Sequence, residues 1–119
     1  MREIKFRAWD ESIKCFQRNI LVSSVGRGFL TMDGYMEPST LDVEQFTGLL
    51  DKNGVEIYEG DILKCLVFDP IDIGYVEYYR SSFVFSDNEV GKRFPLDAPY
   101  HPDTYEVIGN IHENPDLLK

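Results

Sequence analysis

The chain has 119 residues, 43% of them hydrophobic and 13% aromatic, and twelve Lys/Arg against twenty-one Asp/Glu give a net charge of −9. This length suits one domain, the apolar content excludes wholesale disorder, and the acidity opposes general binding to nucleic-acid phosphate. Two cysteines and two distant histidines provide neither a disulfide scaffold nor a zinc spacing.

Eight Phe and seven Tyr, with nine Gly and six Pro scattered as turn punctuation, favour a mainly β fold. Charge is uneven: residues 1–30 carry six Lys/Arg against three Asp/Glu, and residues 31–119 carry six against eighteen. Such acidity first of all keeps a small domain soluble, and the asymmetry also suits head-to-tail pairing or a basic partner. The opening MREIKFRAWD is charged from residue 2 and no apolar run is long enough to span a bilayer. The expectation is a cytoplasmic protein with neither signal peptide nor membrane span.

Residues 2–9 alternate, with Ile4, Phe6 and Ala8 on one side and Glu3, Lys5 and Arg7 on the other. That period predicts a strand with one buried face. Asp10-Glu11-Ser12 reads as a turn, and residues 13–22 as a returning strand with Cys15, Ile20 and Val22 inward. Cys15 and Cys65 both sit beside apolar neighbours, which predicts buried free thiols. Gly26 and Gly28 form a G-x-G pair, but the third glycine is out of register and no G-K-[ST] follows. Residues 23–34 are therefore read as a loop entering a short strand over 29–32. Thr40 is placed to cap one helical turn over 41–44, with Val43 as its apolar contact.

Residues 45–64, QFTGLLDKNGVEIYEGDILK, organise the remainder. Asp51-Lys52-Asn53-Gly54 is a strong turn, because Asn-Gly supplies positive φ. Val55 and Ile57 follow on one side of a strand, with Glu56 and Tyr58 on the other. Glu59-Gly60-Asp61 is a second turn, in which Gly60 takes a positive φ and Asp61 binds turn amides. Residues 62–68 are the most continuous apolar strand. Residues 74–79 alternate again, with Val76 and Tyr78 on one face; Ser81-Ser82 turns into Phe83-Val84-Phe85. Residues 86–104 hold Pro95, Pro99 and Pro102 and read as a long loop resting on the sheet through Phe94, Leu96 and Tyr100. Residues 105–111 form the last strand. Asn114 then caps one helical turn with Pro115 at its first position.

Four blocks taken together, MREIKFRAWD, QFTGLLDKNGVEIYEGDILK, GYVEY and YEVIGNIHENPDLL, resemble the YopX family of small proteins encoded by phages and prophages. The resemblance covers about half of the chain. It implies a small SH3-like β-barrel over 45–119, closed by the C-terminal strand, with an N-terminal β extension and variable loop over 1–44. It implies no activity. Segments 23–44 and 86–104 follow no pattern of the family and are natural places for member-specific function.

Candidate sites are weighed against structural roles. Trp9, Tyr58, Tyr75, Tyr78 and Tyr79 offer an aromatic surface for a protein partner, though packing against the core and sheet is the commoner use. Arg2, Lys5 and Arg7 are an electrostatic contact on the first strand, although such rows more often solvate an edge. Glu59 and Asp61 are two carboxylates two apart, where turn chemistry outweighs acid–base or metal chemistry. His101 and His112 read as surface residues, and no nucleophile–base spacing stands out.

The reading is a non-enzymatic accessory protein without cofactor, binding a host or phage protein or assembling with itself. The alternative is nucleic-acid binding through the basic first strand, which the overall charge opposes. A small hydrolase or metal enzyme around Glu59 and Asp61 ranks third.

Overall fold

The computed structural model describes residues 5–18, 21–22, 29–31, 34–36, 41–67, 72–87, 92–96 and 103–118. Among them the chain is built from antiparallel strands, with one short 3-10 turn. It divides into two compact units, Met1–Phe46 and Thr47–Lys119.

In the first unit, β1 (Phe6–Asp10) lies between β2 (Cys15–Arg18) and the start of β6 (Leu41–Leu50). A separate antiparallel ribbon is formed by β3 (Leu21–Val22), β4 (Phe29–Thr31) and β5 (Gly34–Met36). The turn after β1 forms as its residues demand: Asp10 Oδ1 accepts from the Ser12 amide at 3.0 Å, and Lys14 closes the hairpin at φ 56°.

Three expectations change here. Residues 41–44 are strand rather than a capped helical turn, because pairing with β1 from Leu41 to Gln45 gives their backbone groups partners that one helical turn lacks. The first strand is buried on both faces, with Ala8 at 0% and Arg7 at 5% exposure. Arg7 tolerates this because its Nε donates to Glu44 Oε1 at 2.9 Å and its guanidinium lies 4.1 Å from the Phe16 ring centre. Cys15, at the hairpin end of β2, is exposed, while Cys65 is buried as expected.

The second unit takes in the end of β6, then β7 (Glu56–Tyr58), β8 (Asp61–Cys65), β9 (Asp72–Tyr79), β10 (Ser82–Asp87), β11 (Arg93–Pro95) and β12 (Tyr105–Asn110). Five of these form a curled antiparallel sheet in the order β11-β10-β9-β8-β12. One face encloses a core of Ile57, Leu63, Cys65, Val76, Phe83, Phe85, Leu96 and Tyr105. Gly74 allows β9 and β10 to close up, since a Cβ there would stand 2.2 Å from the Ser86 carbonyl oxygen and 2.8 Å from the Phe85 ring. A bulge between Val107 and Gly109 bends β12.

The turns of the central block follow local chemistry. Gly54 (φ 79°) and Gly60 (φ 83°) are left-handed, and Asp61 Oδ2 accepts from the Tyr58 amide at 2.8 Å. Val55 departs from its expected side and is exposed, while Ile57 is buried. The β9–β10 turn is one residue earlier than expected, at Arg80 (φ 48°) and Ser81 (φ 70°). Part of the expected 86–104 loop is strand β11, and Phe94 and Leu96 do rest on the core. Tyr100 and His101 lie outside the described residues. After β12, residues Pro115–Leu118 form the expected single turn. Asn114 Oδ1, however, turns back to the Asn110 amide at 3.2 Å, and Gly109 leaves room for it.

Candidate functional site

Alternation along β9 sends Val76 and Tyr78 to the core face and Tyr75, Glu77 and Tyr79 to the other. Cross-strand register places Ser86, Val84 and Ser82 beside these three, and Arg93 beside Ser86. On this outer face Arg93 Nε donates to Glu77 Oε1 at 2.6 Å, and its guanidinium lies 4.0 Å from the Tyr79 ring centre. The Arg80 guanidinium lies 5.3 Å from the same centre. One phenol thus has two arginines within cation–π distance.

The electrostatics follow from this packing. The Arg93 hydrogen bond holds the Glu77 carboxyl below its ordinary range, and Glu77 in turn raises the guanidinium. Burial raises the Tyr75 phenol, and the neighbouring Glu77 charge adds to it. The Ser86 hydroxyl is buried near both groups, yet no atom completes hydrogen-bond geometry with its Oγ among the described residues. The arrangement is an aromatic–arginine platform stiffened by the Arg93–Glu77 hydrogen bond.

Both borders of the five-stranded sheet are obstructed. Outside β12, the Lys52 amide donates to the Tyr105 carbonyl at 3.0 Å and Val107 N donates to Asp51 Oδ2 at 2.9 Å. At the opposite border, β11 ends in Pro95, which has no N–H to donate. Strand addition is therefore disfavoured at these borders.

The sequence candidates separate. Tyr75 and Tyr79 share the outer face; Tyr78 is 54% exposed on the opposite one, edge-on to Phe83 at 5.1 Å. Trp9 and Tyr58 are buried at 3% and 4%, so neither ring belongs to an aromatic surface; both take the packing role weighed as the commoner one. Trp9 Nε1 is taken up by Glu11 at 2.7 Å. Lys5 Nζ lies 4.9 Å from the Phe46 ring centre, Arg7 is buried, and Arg2 is outside the described residues. Asp61 is buried at 3% in its turn, and Glu59 is half-buried. Among the described residues no three His, Cys, Asp or Glu converge on a metal position, and no helix is long and apolar enough to cross a membrane. Sequence reasoning missed Arg80, Glu77 and Arg93. The Tyr75–Glu77–Tyr79 alternation was a usable signal for the face, whereas nothing local announced Arg93.

The family described as YopX protein matches residues 5–119. Among solved structures, protein EF1440 from Enterococcus faecalis is 28% identical with a TM-score of 0.76, covering 100% of both chains. The yopX protein from Bacillus subtilis is 18% identical with a TM-score of 0.66, covering 100% of this chain and 98% of that one. No curated protein matches the sequence.

Proposed function

This chain belongs to the YopX family, and on that premise we propose that it is a non-enzymatic protein-binding module whose contact surface is the Tyr75–Tyr79–Arg93 face. The reading rests on one observation above all: Arg93 is fixed by Glu77 at 2.6 Å and by Tyr79 at 4.0 Å on a half-exposed sheet face. An arginine held in this way loses little side-chain freedom on contact, and Arg and Tyr are the residue types that carry binding energy at interfaces. In this proposal the curled sheet belongs to a small SH3-like barrel, and the protein is a phage or prophage accessory factor working in the bacterial cytoplasm. Self-assembly through the same face is the variant form of the reading.

The competing nucleic-acid reading would use the first strand, but Arg7 is committed to Glu44 and Phe16. Affinity capture from nuclease-treated bacterial lysate tests the proposal, together with sedimentation equilibrium of the pure chain. A specific protein held by the wild type and lost with Tyr79→Ala, or a dimer lost with it, is the expected outcome. Recovery of nucleic acid alone before nuclease treatment, with a monomer in solution, overturns it.

A further inference from the structure

We propose that Arg80 and Arg93, on either end of the Tyr79 contact, form a carboxylate-binding site that receives an acidic segment of a protein partner. The proposal rests on the protein-binding reading and specifies the partner's chemistry.

The argument begins with what each arginine has left to offer. Arg93 spends Nε on Glu77, so its terminal nitrogens remain as a donor fork, and its side chain is 42% exposed. Planar forks of this kind match a carboxylate bidentately. Arg80 is exposed, its guanidinium resting near the Tyr79 ring, and it forms no ion pair among the described residues. Its position is specified by an unusual backbone: Arg80 and Ser81 both have positive φ in a two-residue hairpin turn, where glycine or asparagine is the usual choice. The turn throws the arginine back over the last residue of β9.

The surrounding charge selects the ligand class. Residues 47–119 carry six Lys/Arg against fourteen Asp/Glu, and two of the six meet at Tyr79. A polyphosphate strand must lay a continuous row of charge across this acidic unit and is repelled along most of its path. A peptide bearing one or two carboxylates needs only the two guanidiniums, of which Arg93 is already paired with Glu77 and Arg80, among the described residues, is not. It can also set its apolar atoms against the tyrosine.

The test uses the full chain and a fluorescein-labelled hexapeptide bearing two glutamates among neutral residues, read by anisotropy at low salt, with labelled hexathymidylate as the competing anion. Saturable binding of the two-glutamate peptide, weakened about tenfold by Arg93→Gln and by Arg80→Gln and unchanged by Lys64→Gln, is expected. Each variant is first matched to wild type by circular dichroism. Should Arg93→Gln fail to fold, Arg80→Gln and Arg93→Lys, which keeps charge but loses the fork, decide the matter. Absence of binding, binding undiminished from wild type in both glutamine variants, or tighter binding of hexathymidylate overturns the site. A lysate partner still captured by the Arg80→Gln/Arg93→Gln double variant also overturns it, while leaving the protein-binding reading intact.

Discussion

Asp51 Oδ2 accepts the Val107 amide at 2.9 Å across 56 positions of sequence. The same carboxylate receives the Asn53 amide at 2.8 Å and the Val55 amide at 2.9 Å through Oδ1. One side chain, buried at 3%, therefore shapes a tight turn and fastens it to the last strand. Asp51→Ala leaves three amides without this acceptor and is expected to lower stability by about 3 kcal/mol or more. Urea unfolding checks it; a loss under about 1 kcal/mol would mean that water replaces the carboxylate.

Two glycines with different reasons for being glycine should respond differently to alanine. Gly54 has open space around a built Cβ but sits at φ 79°, so Gly54→Ala is expected to cost about 1–2 kcal/mol from backbone conformation alone. At Gly74 an added Cβ would stand 2.2 Å from the Ser86 carbonyl oxygen, so Gly74→Ala must separate β9 from β10. The thermal midpoint should fall clearly further for Gly74→Ala, and the reverse ranking would contradict the strand spacing described.

The Arg7–Glu44 pair is buried at both ends, with side-chain exposures of 6% and 8%. Removing one member by Arg7→Met is expected to destabilise by about 3–5 kcal/mol. The Arg7→Met/Glu44→Leu double variant should recover much of that, since apolar replacement of an entire buried pair is often near neutral. A double-mutant cycle measured by denaturation gives the coupling; additive losses would show the two side chains to be independent.

Burial raises the Tyr105 phenol to about 12, with the nearby Cys65 charge as a smaller contribution. The folded value lies above the unfolded one, so its stability contribution is complete below pH 10 and is lost as pH rises from 10 towards 12. The loss amounts to about 2–3 kcal/mol over that window. Ultraviolet titration should show a phenol titrating towards pH 12 that disappears in Tyr105→Phe, and this variant should resist alkaline unfolding better. Simultaneous titration of every tyrosine near pH 10 would place Tyr105 in water.

What was legible in the sequence is what local chemistry decides. Gly54, Gly60 and Asp61 behave as their turn motifs require, and β9 alternates as its residues do. Arg7 was misjudged because its burial depends on Glu44, 37 positions away, and alternation cannot register a buried ion pair. The platform was half visible: Tyr75 and Tyr79 were singled out, but Arg93 stood in a proline-bearing stretch without periodicity. Its role exists only through cross-strand register with β10. Trp9 and Tyr58 took the packing role that sequence weighed above a surface one, although aromatic type by itself does not distinguish a ring at the surface from one beneath it.

The position of β12 bears on how the protein is made. The inner neighbour of that strand is β8, and the Ile111 amide closes on the Gly60 carbonyl at 2.9 Å. During synthesis, residues 61–65 leave the ribosome well before residues 105–111. Until those arrive, a growing chain presents one flank of β8 without its final companion, including Ile62 and Leu63, which are fully buried once folding is complete. The pairing that covers this flank of β8 therefore cannot form before residues 105–111 are made, which ties completion of the sheet to the arrival of β12.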